Sequence, residues 1–289
     1  MKLKGIEKWR MHLPSYQGRR IRFIGLRLLI TVIAASTLMI LSDVLPRFIP
    51  SDPLLETLEP FLPFIGPIIV ICIAFILVWS MWFRRRGLLT KNRETAYEKA
   101  ILVGLPGIAL VMLFVFHAFT PILSLFFTPP INQNTIFLAS SLLAMIPGFE
   151  SIAIYIQLVL FIFFLIIGML TAFRAFFSFG LDYMALVYLY YPEESEVQEH
   201  EIYSVLRHPA YSGIITLAAS ALFLHFSFYS IFYFLIIVIM MYIHIYMVEE
   251  KELIDRFGNS YVEYRKNVPA IFIHLNKLSV YFGFLFGRE

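Results

Sequence analysis

The feature that most constrains this chain is the recurrence of apolar runs as long as a bilayer is thick. A helix rises about 1.5 Å per residue, so roughly 20 apolar residues cross about 30 Å of hydrocarbon. Four runs reach that length: Ile24–Leu45, Phe64–Phe83, Ile101–Phe127 and Ser151–Phe173. In lipid, backbone N–H and C=O groups must be satisfied internally, so such runs fold as helices. Composition agrees. Of the 289 residues 60% are hydrophobic and 15% charged, against about 45–50% and about 25% in soluble domains. The expected fold is all-α, a multi-pass transmembrane helical bundle. The first run exceeds the about 7–15 residues of a signal-peptide core, and no small-residue cleavage site follows it, so it is expected to stay as a span.

The loops predict orientation. Lys2, Lys4, Lys8, Arg10, Arg19, Arg20 and Arg22 precede the first run, and Arg84, Arg85, Arg86, Lys91, Arg93 and Lys99 separate the second from the third. The loop after the first run holds Asp43, Asp52, Glu56 and Glu59 with Arg47, and the loop after the third has no Lys or Arg. Lys and Arg collect on the cytoplasmic side, which puts both termini there and leaves a basic arm able to touch anionic lipid. Residues 1–150 therefore read as N-terminal transmembrane helices with a basic cytoplasmic arm. Pro106 and Pro121 predict kinks in the third run. Thr135–Ile146, too short to span, reads as a shallow or re-entrant helix. The single cysteine, Cys72, excludes an internal disulfide or a CxxC site.

Residues 151–289 read differently. After Phe173 the stretch "FSFGLDYMALVYLYYPEESEVQEHEIY" mixes aromatics with carboxylates. It is expected to lie along the cytoplasmic face, partly extended, with Pro192 ending it and Glu193–Glu201 as a solvated surface. Two apolar legs follow, Tyr211–Leu224 and Phe228–Val248, hinged near "HFSF". The first leg, roughly 21 Å long as a helix, cannot cross the bilayer. A C-terminal membrane hairpin of this shape brings Arg207 and His208 at its entry to Glu249 and Glu250 at its exit, in a protein-lined pocket at the cytoplasmic boundary. Beyond it, Leu253, Ile254, Phe257 and Tyr261 form an amphipathic stripe, Gly258 reads as a helix stop, and Ile271–Phe286 as an interfacial helix.

An ion pair pinning the hairpin would need one carboxylate. Two adjacent ones facing Arg207, His208, Tyr203 and Tyr211 suit a ligand that carries both cationic and anionic groups, and ionisable groups at membrane depth mark functional sites. His117 reads as a hydrogen-bonded buried histidine, His225 as reaching the interface from the hinge, and His244, one turn before the glutamates, as either a pocket or a packing residue. No HExxH, paired Cys/His, GxGxxG or Walker pattern is present, so neither a metal nor a nucleic acid is expected as a partner.

These residues carry a resemblance. The pattern Y-x(3)-R-H-P-x-Y-x-G, a hairpin, E-E-x(2)-L-x(3)-F-G-x(2)-Y-x(2)-Y and V-P stands here as Tyr203, Arg207-His208-Pro209-Ala210-Tyr211, Gly213, Glu249-Glu250, Leu253, Phe257-Gly258, Tyr261, Tyr264 and Val268-Pro269. Over roughly Phe179–Phe272 it resembles the isoprenylcysteine carboxyl methyltransferase family with its bacterial and archaeal relatives, and more distantly the phospholipid N-methyltransferases. The resemblance implies S-adenosylmethionine as donor at a cytoplasmic cofactor pocket formed by Tyr203, Arg207, His208, Pro209, Tyr211, Glu249 and Glu250. It further implies Arg207, His208 and Glu250 as catalytic, and Tyr261, Tyr264 and Arg265 on the acceptor side. The implied partners are membrane lipid and a lipid-like or prenylated acceptor, first a prenylcysteine-type carboxylate, second a phospholipid amine. The chain departs from the family at Glu201, where a glycine is frequent, at Ser195 and Val197, which replace a histidine and a leucine, and at Asn267, where eukaryotic members have arginine. An NADPH-dependent sterol-type reductase shares an R-H-P-x-Y block, although paired glutamates would repel a 2′-phosphate. A non-catalytic lipid-binding or transport protein on the same scaffold is the other alternative.

Overall fold

The computed structural model describes residues 4–14, 19–120 and 128–287, with no side-chain description for 19–21, and the described residues contain no strand. A short arm helix α1 (Ile6–Met11) leads to α2 (Arg19–Phe48), α3 (Pro53–Leu58), α4 (Leu62–Phe83), α5 (Arg85–Lys91), α6 (Arg93–His117) and α7 (Gln133–Ala139). The C-terminal half comprises α8 (Ala153–Phe179), α9 (Leu181–Met184), α10 (Pro209–His225), α11 (Phe228–His244), α12 (Glu250–Phe257), α13 (Asn259–Asn267) and α14 (Leu278–Leu285). Among the described residues five helices are long and apolar enough to cross a membrane: Arg22–Phe48, α4, α6, α8 and the continuous helix Phe228–Phe257. The chain is an all-α multi-pass bundle.

Several boundaries differ from the sequence expectation. The third span starts at Arg93 rather than Ile101, because Asn92 caps it by accepting from Thr95 N at 3.2 Å and Glu94 sits in its first turn. The helix runs on through Pro106 to His117; Pro121 and the rest of the expected run, 121–127, lie outside the described residues. α8 continues six residues past Phe173, to Phe179, where Gly180 caps it. The shallow helix is only Gln133–Ala139, capped by Asn132.

After α8 the chain turns repeatedly, through α9 and 3-10 turns at Val187–Leu189, Pro192–Glu194 and Glu201–Ser204. Pro192 opens one of these turns instead of closing the segment. Glu193, Glu196, Glu199 and Glu201 of the acidic run are exposed as expected, but Ser195, Val197 and Gln198 are partly buried and Glu194 is not free: Lys8 lies 3.0 Å and His12 3.2 Å from it, and Arg93 pairs with Glu193. Burial works against the Lys8 ammonium, yet Glu194 and Asp182 raise its pKa. The arm is thereby fastened over the turns.

The hairpin forms where Phe226 adopts φ 50 and Ser227 begins a new helix through a reciprocal capping box with Ser230. Its tip is held by Leu142 N donating to Phe226 O and Gln157 Nε2 to His225 O. The first leg packs on α8 at unusually short range. A Cβ on Gly213 would meet Ala172 N at 2.8 Å, and one on Gly168 would meet Leu217 N at 2.8 Å. Small residues let helix backbones approach this closely in membranes. α2 and α8 turn Ile30, Ile33, Ile154 and Val159 outward, as lipid-facing helices do. The core lies between α4, α6 and α11, around Ile71, Phe114, Tyr233 and Met241.

At the hinge end, His117 Nε2 stands 3.3 Å from Asp43 Oδ2 and Nδ1 lies 3.0 Å from Thr120 Oγ1, which bears out the hydrogen-bonded buried histidine. Arg47 pairs with Glu59, which also accepts from Asn132 N. These groups are far along the bundle from the hairpin's open end.

Candidate active site

Pro209 occupies the first turn of α10, where its missing N–H is no loss. The two residues before it run beside the Val268-Pro269 segment: Arg207 N donates to Pro269 O at 2.9 Å and His208 N to Ala270 O at 3.0 Å. Both ends of the motif are therefore stitched together through backbone atoms.

On the second leg, α11 passes into α12 through one π-helical turn, Ile245–Glu249. On an α-helix His244 and Glu249 would sit roughly 140° apart. The wider turn brings His244 Nε2 to 4.0 Å from Glu249 Oε2. Trp79 of α4 holds the other side of the ring, donating from Nε1 to His244 Nδ1 at 3.0 Å.

The twin glutamates part company here. Glu250 is 1% exposed and is the hub of a network. Its Oε1 accepts from Arg207 Nε, His208 Nε2 and Tyr261 Oη, each at 3.0 Å, and Arg265 Nε pairs with Oε2 at 3.0 Å. Arg207 also donates from Nη1 to the carbonyls of Arg265 and Val268. Glu249 instead lines the pocket. Its Oε1 is 3.7 Å from His208 Nδ1, and Oε2 is buried with no hydrogen-bond partner. Burial opposes the His208 imidazolium, but Glu249 and Glu250 together raise its pKa above the ordinary histidine value.

The cavity above Glu249 has about 1250 Å³ of empty space, mouth included. Its deep wall is apolar, with Phe75, Val78, Ile108, Val111 and Met241 from α4, α6 and α11. Its other wall comes from the Tyr183–Tyr188 and Ser195–Gln198 turns and from α12. Tyr203, stacked on Phe179 with centroids 5.0 Å apart, and Tyr211, 5.7 Å from the His244 ring, line it between the two.

Arg207, His208, Pro209, Tyr203, Tyr211, Glu249, Tyr261 and Tyr264 all border this cavity. Glu250 and Arg265 do not: Glu250 is buried, and the Arg265 side chain that pairs with it is exposed. Tyr264 donates from Oη to Tyr203 O at 2.7 Å, so both acceptor-side tyrosines also brace the wall. His244 is a pocket residue.

Four more cavity-lining residues stand outside the matched pattern. Trp82 presents an indole N–H without a partner. Ser195 and Val197, two of the departures from the family pattern, also line the cavity. The fourth, Arg256, has a side chain only 5% exposed. Its Nη2 donates to Glu252 Oε1 at 2.6 Å and its guanidinium lies 4.5 Å over the Tyr188 ring, while Nε and Nη1 meet no acceptor. Helical spacing held the clue: Arg256 follows Glu249 by seven residues, two turns along one face.

Glu201, a third departure, adopts φ 49, the left-handed region that favours glycine. Asn267, the fourth, is exposed and bonds the Glu263 carbonyl.

The phospholipid methyltransferase family matches residues 156–260. That stretch covers α8, the turns, the hairpin and α12, and supports a membrane methyltransferase, a class whose methyl donor is S-adenosylmethionine. No curated protein and no solved structure matches the chain.

Proposed function

We propose that this protein transfers a methyl group from S-adenosylmethionine to a lipid-like acceptor at the cytoplasmic boundary of the membrane. The observation that carries this is one cavity with two kinds of wall: membrane-depth apolar side chains on one side, and charged and aromatic groups with unsatisfied polar atoms on the other. The donor fits the second wall. A free carboxylate oxygen on Glu249 suits its ammonium or ribose hydroxyls, and the Tyr203 and Tyr211 faces suit its adenine or sulfonium. When bound, the donor supplies an electrophilic methyl group.

The chain's own residues then position and exclude water. Arg207 and Glu250 act as a positioning pair that fixes His208 and the backbone of the wall. The apolar wall shelters the acceptor's chain and dries the reacting groups. The acceptor we favour is a prenylcysteine-type carboxylate, which is already anionic near pH 7 and needs no base. Both ring nitrogens of His208 face carboxylates and its protonated form is favoured, so it is poorly suited to deprotonate an amine. Tyr261 and Tyr264 would then border the acceptor, with Arg265 acting through Glu250. The family match favours a second reading, a phospholipid amine, for which Glu249 would be the base.

Isotope-labelled donor offered to the detergent-purified protein, with a farnesylated cysteine analogue or phosphatidylethanolamine, tests this. A labelled methyl ester is expected. A labelled amine headgroup would establish the second reading. Calorimetric binding of NADPH in place of S-adenosylmethionine would overturn the class.

A further inference from the structure

We propose that Arg256, and not Arg207, binds the carboxylate of the donor. This rests on the donor reading above and concerns a residue outside the motif that suggested it. Arg207 has little capacity left: Nε and Nη2 meet Glu250, Nη1 donates to two carbonyls, and Glu250 neutralises its charge. Arg256 is the reverse case. Its side chain is 95% buried by the 5% exposure that remains, it borders the cavity, and the N–H groups on Nε and Nη1 have no acceptor. Buried guanidinium donors are almost always satisfied, so unpaired ones at a cavity wall point to a ligand that satisfies them.

Charge agrees with this. Glu252 is shared by two guanidiniums, Arg256 and Arg85. With one carboxylate shared between two guanidiniums, the Arg256 charge is only partly balanced by Glu252, which leaves it able to take an anion. Two turns earlier on the same helix Glu249 offers the opposite: a buried carboxylate oxygen without a partner. The wall therefore presents guanidinium N–H donors and a carboxylate oxygen without hydrogen-bond partners, complementary to an amino acid terminus with its own two charges. Tyr188, under the Arg256 guanidinium, gives that cation a fixed platform.

The test compares S-adenosylmethionine with its decarboxylated form, which keeps the sulfonium and the amine. Affinities are measured by calorimetry on the wild type, R256Q and R256K, with thermal melting to check each fold. The wild type is expected to bind S-adenosylmethionine roughly 10- to 100-fold more tightly than the decarboxylated form, the range of charge-assisted hydrogen bonds to a carboxylate. R256Q should lose that preference while binding the decarboxylated form as the wild type does, and R256K should restore part of it. Unchanged preference in R256Q overturns the assignment and leaves the donor reading standing. A wild type that binds neither compound removes the donor reading and the assignment together.

Discussion

Replacing Glu250 by glutamine keeps the side chain's shape and removes its charge. The consequence follows from what surrounds it: Arg207, His208 and Tyr261 at 3.0 Å on one oxygen, Arg265 at 3.0 Å on the other, and 1% exposure. The amide oxygen can still accept, but Arg207 and the His208 imidazolium lose their buried counter-charge. Removing one partner of a buried ion pair costs about 3–5 kcal/mol. A melting shift of about 2–4 °C per kcal/mol for a chain of this size class makes the expected fall roughly 10 °C. Glu249→Gln is the internal control. One of its oxygens has no hydrogen-bond partner, with His244 at 4.0 Å, and the other meets His208 only at 3.7 Å, so its melting point should fall by clearly less than that of Glu250→Gln, while donor affinity falls about tenfold or more. Differential scanning fluorimetry and calorimetry on the two detergent-purified variants read both quantities. Glu250→Gln melting within about 3 °C of wild type, or Glu249→Gln falling equally far, would refute the division of labour between the two glutamates.

Glu201→Gly should stabilise the protein by up to about 1 kcal/mol, since a left-handed non-glycine residue costs about 1–2 kcal/mol and glycine gives some back in unfolded-state entropy; chemical denaturation checks the sign. Gly213→Val should lower the melting point by roughly 5 °C or more, because the new Cβ meets the Ala172 backbone at 2.8 Å and overpacking costs about 1–3 kcal/mol. The raised His208 pKa contributes stability that is complete below the unfolded value of about 6.5 and is lost as pH rises through the folded one. The wild-type melting point should therefore fall from pH 6.5 upward, with a flatter profile in His208→Gln. Lys8→Glu should release the arm from Glu194 and Asp182 and expose it to limited proteolysis, with the bundle's melting point nearly unchanged.

Much of the bundle was legible because lipid leaves few choices. The spans followed from run length, and their ends moved only where a local group decided, as when Asn92 started α6 eight residues early. The motif residues were also legible as a set, since Arg207, His208, Glu249 and Glu250 do converge. Gly213 stood in the motif without a reason; the reason is the Ala172 backbone across the helix pair. What stayed hidden was the division between neighbours. Nothing in "EE" distinguishes a hub from a free carboxylate, because one residue is a rotation of roughly 100° on a helix and the π-helical turn changes where that rotation begins.

Sequence alone determined that the chain is a helical membrane bundle with a charged hairpin base, because hydrophobic length, turn residues and charge position act locally and along the chain. Tertiary structure alone decided which of those charges are spent and which remain free. Glu250 and Arg207 neutralise each other, whereas Glu249 and Arg256 reach the cavity with polar atoms that have no hydrogen-bond partner. It also recruited α4 and α6, whose sequences carry no motif, to build the apolar wall. Satisfaction of a buried polar atom depends on every element that packs around it, and that is a property no single stretch of sequence contains.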